Sequence, residues 1–200
     1  TVATNAVLTG NWAPIALVTT EGFGDALEIG RQTRPELYNF HTVKPEPLVP
    51  RARRFEVPER VDASGAVVRP LDEAAVGRVA KAIAASGARA VAVVLLFSFK
   101  NPDHERRVGA LLRDALDLPV SLSCEVLPEF REYERASTTA LNAALLPVVD
   151  RYLATLDEAT RALGAAPGWR VMQSNAGTTS AELARRAPVT LLLSGPAGGV

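Results

Sequence analysis

Ile15-Ala-Leu-Val-Thr19 is a short apolar run leading into the polar step Thr20-Glu-Gly22, the pattern of a buried strand entering a loop. Asp25 to Ile29 follows as one or two helical turns stopped by Gly30. From Gln32 to Pro58 the periodicity is lost, and Pro35, Pro45, Pro47, Pro50 and Pro58 exclude a regular helix. A short strand is expected near Arg54 to Val57. The turn signal Asp62-Ala-Ser-Gly65 then suggests a hairpin joining Phe55–Val57 to Ala66–Arg69. Asp72 is a good N-cap for a helix with Val76, Val79, Ala80 and Ile83 on one stripe, closed by Gly87. Val91 to Phe97 is rich in β-branched residues and does not alternate, which suits a central strand covered on both faces.

Asn101-Pro-Asp103 opens a second helix with Val108, Leu111, Leu112, Ala115 and Leu116 on its stripe, and Pro119 to Leu122 is the next strand. Strand, helix, strand in this order predicts an α/β layer fold. A long helix is expected over Glu129 to Leu163, kinked or broken at Pro147, where a backbone donor is missing. Ala165 to Gly168 reads as a linker, Trp169 to Gln173 as a strand, Ser180 to Arg186 as a short helix, and Val189 to Leu193 as a last apolar strand.

Charge and composition then remove whole classes of function. Twenty-two basic residues balance 22 acidic ones, leaving no cation excess for a nucleic-acid binder that works by displacing counterions. The longest apolar run, Ala90 to Phe97, is far short of the roughly 20 residues that span a bilayer. The one cysteine, Cys124, cannot form an intrachain disulfide. Two hundred residues suit one large domain or two small ones. No nucleic-acid or membrane partner is expected, and with no secretory signal visible the expected location is the cytoplasm.

Chemistry is sparser. Leu191 to Val200 carries an apolar run into Ser194, Gly195, Gly198 and Gly199. Glycines after a strand let a backbone approach a phosphate closely, although the same residues also make plain tight turns. Gln173 to Thr179 is a second polar cluster after a strand, where either a ligand contact or an N-cap and turn can sit. Thr1 to Asn5 has a similar polar character. The charged stretch Glu125 to Arg135 reads as a solvated helix face with Arg131–Glu134 and Glu132–Arg135 pairs. His41 and His104 lack Cys or His neighbours at ligand spacing, so no metal site is expected, and Cys124 reads as a packed thiol. Ser137, Thr138 and Thr139 read as helix-face hydroxyls.

Several segments, taken together, resemble the hydantoinase A/5-oxoprolinase family. They are Thr-Val-Ala-Thr-Asn-Ala-Val-Leu at Thr1–Leu8, Ala16–Phe23, Leu27–Gln32, Arg34–Tyr38, Leu96–Pro102 with His104–Arg107, Leu127–Arg135, Val171–Asn175 and Leu193–Val200. The resemblance runs from first residue to last in one order. It implies part of an actin-like ATPase fold built from ribonuclease-H-like halves. It also implies an N-terminal region over 1–165, running into the start of the hydantoinase A core over 166–200.

The family's two phosphate loops are expected ahead of Thr1 and beyond Val200, so the chain reads as truncated at both ends and inactive toward ATP on its own. The implied activity is ATP-dependent hydrolysis of a cyclic amide, hydantoin or 5-oxoproline, through phosphorylation of the carbonyl oxygen. ATP and Mg2+ or another divalent metal would be the cofactors, and a hydantoinase B-type subunit or domain the partner. Two alternatives stay open: a subunit of an ATP-dependent acetone or ketone carboxylase, or a structural segment for subunit contact. Ser194, Gly195, Gly198 and Gly199 are the implied nucleotide side, and Asn5 and Asn175 the substrate side. The resemblance assigns no catalytic residue. Ala176 stands where the family pattern has a second glycine, and Asn11-Trp12-Ala13 replaces a more basic segment.

Overall fold

The computed structural model describes residues 2–33, 36, 38–43, 45–164 and 168–199. In chain order the elements are α1 (Val2–Leu8), β1 (Ile15–Thr20), α2 (Ala26–Ile29), β2 (Arg54–Val57), β3 (Arg60–Val61), β4 (Val67–Arg69), α3 (Glu73–Ala85) and β5 (Ala90–Val94). They continue with α4 (Asp103–Ala115), β6 (Val120–Leu122), α5 (Ser123–Val126), α6 (Glu132–Ala162), β7 (Arg170–Met172), β8 (Thr178–Ser180), α7 (Ala181–Arg186) and α8 (Ser194–Gly198). Short 3-10 helices occupy Arg51–Arg53 and Pro188–Leu191.

β2, β1, β5 and β6 form one sheet in that order, every pair parallel. Parallel strands need covered faces, and successive side chains point to opposite sides. Ala16 and Val18 of β1 join Val91 and Val93 of β5 beneath α3 and α4, where Val76, Ala80, Ile83, Val108 and Leu112 are buried. Ile15, Leu17, Ala90, Ala92 and Val94 face the other way, against Leu27 and the α6 alanines at 136, 140, 143 and 144. Alanine facing alanine lets a long helix lie close on the sheet. A third cluster joins Ala3 and Ala6 of α1 to Leu145, Val149 and Leu153 of α6, and to Ala184 and Leu191.

Four expectations are corrected. Phe55–Val57 does not fold back on Ala66–Arg69. It joins the main sheet, Thr20 opposite Val57, while the hairpin pairs β3 with β4. α6 runs through Pro147 without interruption. Burial of the flanking turns holds it, and the Ala13 N–H donates to the Ala144 carbonyl at 3.1 Å just ahead of the proline. Val189–Leu193 is not a strand. Pro188 starts a 3-10 turn that buries Leu191 among the third cluster, and Leu193 takes a left-handed φ of 59°. The fourth concerns the charged face: Glu134 pairs with Arg31, and Arg135 lies inside the protein at 1% exposure. Of the expected linker, Ala165, Ala166 and Pro167 lie outside the described residues.

Candidate functional site

The carboxyl ends of β1 and β5 carry two buried polar networks, at the edge where parallel α/β sheets place ligands. Both start in the first turn of α4. Glu105 is 0% exposed. Its Oε2 accepts the Leu95 N–H at 2.7 Å, its Oε1 accepts the Cys124 N–H at 2.7 Å, and the Ser123 hydroxyl donates to it at 2.9 Å. From α6, Arg135 donates through one terminal nitrogen to the Leu95 carbonyl and through the other to Ser98 Oγ, both at 2.8 Å. Ser98 Oγ lies 3.1 Å from Ser123 Oγ. Two hydroxyls therefore relay a buried cation to a buried anion, and the two ions grip the N–H and C=O of the same residue. Phe99 stacks under the guanidinium at 5.4 Å.

The second network continues from Leu96, whose N–H donates to Thr20 Oγ1 at 3.0 Å. Thr20 donates in turn to Glu59, and the other Glu59 oxygen meets His104 Nδ1 at 2.8 Å. Phe97, the next residue, holds a φ of 54°, a left-handed backbone that costs energy in a bulky residue. Residues 95–98 are thus fixed by side chains from β1, α4, α5 and α6. The loop is set before any ligand arrives.

Burial lowers the proton affinity of the Arg135 guanidinium and the Glu105 charge opposes the shift, so the group stays a cation. Burial, reinforced by the Glu105 carboxylate, pushes the Cys124 thiol up to about 12. A thiol so protonated is no nucleophile. Among the described residues, no three His, Cys, Asp or Glu side chains converge as a metal site would require.

The residues singled out from the sequence lie elsewhere, around the chain's last turns. Ser194, Gly195 and Gly198 belong to α8 and Gly199 follows it. The Leu193 N–H donates to Thr4 Oγ1 at 2.9 Å, which ties α8 to α1. Asn5, on α1, is exposed. Asn175 Oδ1 accepts the Gly177 N–H at 2.9 Å and closes the β7–β8 turn, in which Ala176 takes a φ of 64°. Ser174 bonds the Thr190 carbonyl through both its N–H, at 2.8 Å, and its hydroxyl, at 3.0 Å. Gly198 packs on β7, where a Cβ would meet Met172 at 3.4 Å. Gly199 has more room, with nothing nearer than 3.6 Å. The structure thus brings Ser194–Gly199 against Thr4 and Met172 and gives Asn175 a turn-closing bond.

Glu105 and Arg135 escaped sequence reasoning because charge was taken to mean solvent. The signal was present. Glu105, Val108, Gly109 and Leu112 are the buried positions of α4, so the glutamate occupies its apolar stripe at i, i+3, i+4, i+7. Arg135, Thr139 and Asn142 keep the same spacing on α6 and are all buried.

Comparison with known proteins gives a consistent picture. The description "Hydantoinase/oxoprolinase N-terminal region" matches residues 1–116, and "Hydantoinase/oxoprolinase" matches residues 135–200. An uncharacterised protein of Methanocaldococcus jannaschii is 40% identical over 92% of this chain and 27% of its own. Caprolactamase subunit alpha of Pseudomonas jessenii is 36% identical over 98% of the chain and 29% of its own, and 5-oxoprolinase of Saccharomyces cerevisiae is 34% identical over 100% and 17%.

Among solved structures, ATP-dependent caprolactamase from Pseudomonas jessenii superimposes with a TM-score of 0.90 at 36% identity, covering 98% of this chain and 29% of that one. Nucleotide-free acetone carboxylase superimposes with a TM-score of 0.86 at 28% identity, covering 100% and 30%. The chain spans less than a third of the length of each of these relatives.

Proposed function

The chain belongs to the hydantoinase/oxoprolinase family, and on that premise we propose that the protein it forms part of opens cyclic amides with ATP. The observation that carries this reading is the 36% identity and 0.90 TM-score to an ATP-dependent caprolactamase over 98% of the chain. An amide carbonyl is a poor electrophile. Phosphorylating its oxygen converts that oxygen into a leaving group, and the charge on the transferred phosphoryl group needs aligned donors.

Within this chain the nucleotide side is Ser194, Gly195 and Gly199. Gly195 and Gly199 are exposed, and bare glycine backbone lets a phosphate approach. Gly198 serves a different purpose, since its open side is taken by Met172. Asn5 and Asn175, both exposed, are the substrate-side candidates. A divalent cation such as Mg2+ would enter with the nucleotide phosphates and neutralise part of their charge.

The whole protein would adopt an actin-like ATPase architecture, with residues 1–165 in its N-terminal region and 166–200 opening its core. A hydantoinase B-type subunit or domain is the expected partner, in keeping with relatives named as subunits. The compartment would be the cytoplasm, where an unpaired Cys124 stays reduced.

A ketone-carboxylating enzyme is the second reading, favoured by the 0.86 TM-score to acetone carboxylase over the entire chain. Product analysis of the full-length protein with ATP and hydantoin, 5-oxoproline, caprolactam, or acetone plus bicarbonate separates the two. Ring-opened amino acid is expected. Carboxylated ketone without ring opening would replace the first reading with the second. In the same protein Gly199→Val is expected to weaken ATP binding at least tenfold while leaving the melting temperature unchanged. Unaltered ATP affinity would remove this turn from the nucleotide site.

A further inference from the structure

The crossovers of the main sheet create a crevice that the nucleotide reading does not use. From β1 the chain passes through α2 to β2 on one side, and from β2 through α3 to β5 on the other. The connections that leave β1 and β5 at their carboxyl ends therefore diverge, and such a divergence is where open α/β sheets bind ligands. Here it holds a cavity of about 10 Å³, room for the centre of one oxygen atom. Thr19, Phe23, Ala26, Leu96, Glu132 and Arg135 are in its wall.

Arg135 is the unusual member of that wall. It is 1% exposed, and both of its bonded terminal nitrogens donate to neutral oxygens, the Leu95 carbonyl and the Ser98 hydroxyl. Its Nε–H is buried without a partner. Its nearest bonded countercharge, Glu105, stands two hydroxyls away. A buried cation with a spare donor in a cavity wall is best satisfied by an anionic oxygen, because charge-assisted bonds are about twice as strong as neutral ones. Glu132 in the same wall sets the charge of the ligand. One negative charge balances Arg135, whereas a phosphate dianion would face the Glu132 carboxylate as well.

We propose that this crevice is a subsite for the carboxylate end of a small molecule, one of its oxygens accepting from Arg135 Nε beside the Thr19 hydroxyl. The rest of the ligand extends outward past Phe23, along the Gly22–Gly24 turn. The subsite goes beyond the ATP reading and uses none of Ser194 to Gly199, so either can fail without the other.

Formate is the smallest probe with the right charge and shape. In crystals of the full-length protein grown without carboxylate buffers and soaked in formate, planar density is expected with an oxygen within hydrogen-bond distance of Arg135 Nε. A lone water or an empty cavity at that place would overturn the proposal. Calorimetry of the same protein is expected to give a formate dissociation constant in the range of about 1 mM or weaker, as suits a three-atom ligand.

Because an Arg135 variant could lose its fold, Ala26→Leu is the more informative substitution. It fills the cavity and leaves the guanidinium in place. It is expected to keep or raise the melting temperature and to weaken formate at least tenfold. Formate affinity unchanged in a folded Ala26→Leu protein would place the anion elsewhere and overturn the proposal.

Discussion

Glu105 and Arg135 show what a buried charge costs and what it holds. Removing one partner of such a system leaves the other uncompensated, a loss of about 3–5 kcal/mol in comparable cases. Glu105→Ala also strips the acceptor from the Leu95 and Cys124 N–H groups and from the Ser123 hydroxyl. The expected result is a fall of about 3–5 kcal/mol in unfolding free energy, read from urea midpoints at constant m-value. A loss under about 1 kcal/mol, the range of exposed pairs, would show that the relay does not bear on stability. Cys124 offers a pH test on the same carboxylate. The native thiol keeps its proton up to about 12, against an ordinary value of 9.0. The stability this protonation contributes is complete below pH 9 and declines as pH rises toward 12, because the unfolded chain loses the proton first. Alkylation of the native protein should stay slow at pH 9 and accelerate only well above it, whereas the urea-unfolded protein should react readily at pH 9.

At the level of elements, contact geometry decides which substitutions are tolerated. α4 lies on β6 with Gly109 directly over Leu122, and a Cβ there would meet the leucine Cδ2 at 2.7 Å. Leu122 is 1% exposed and has no free space to enter. Gly109→Ala is therefore expected to destabilise by about 1–3 kcal/mol through overpacking, despite alanine's better helix propensity, and thermal denaturation would register it. A neutral or stabilising result would mean the helix can shift outward. The same elements show how much a linear reading yields. α3 was legible at both ends, because Asp72 caps the Ala75 N–H at 2.9 Å and the apolar stripe has period 3.6. β5 was legible as an unbroken apolar run. Val189–Leu193 has equal apolar content and was not, since its fate depends on Asn142 Oδ1 accepting the Val189 N–H at 3.1 Å and on the third cluster receiving Leu191. Those partners lie some 47 residues away along the chain. The candidate site was legible only in its family-like C-terminal motif, and the relay at residues 95–135 was hidden behind the equation of charge with surface.

On the scale of the molecule, two bodies of unequal depth share one helix. The sheet carries apolar clusters on both faces, whereas α1, α7, the β7–β8 hairpin and α8 rest on one smaller cluster along the second half of α6. Local stability follows buried apolar contact. Hydrogen exchange should therefore find the β5 amides slowest, with the β7–β8 amides opening earlier and independently. A single common rate of opening for both would show that α6 couples them rigidly. The grip on Leu95 has a consequence of another kind. Its two ions hold a nitrogen and an oxygen of the main chain, which every amino acid except proline would present in the same place. The network addresses a coordinate in space and is blind to the letter written there. A library that randomises codon 95 would report on packing alone and score the clamp as irrelevant. Only an edit to the backbone, an amide-to-ester exchange that deletes the one N–H facing Glu105, would make it visible.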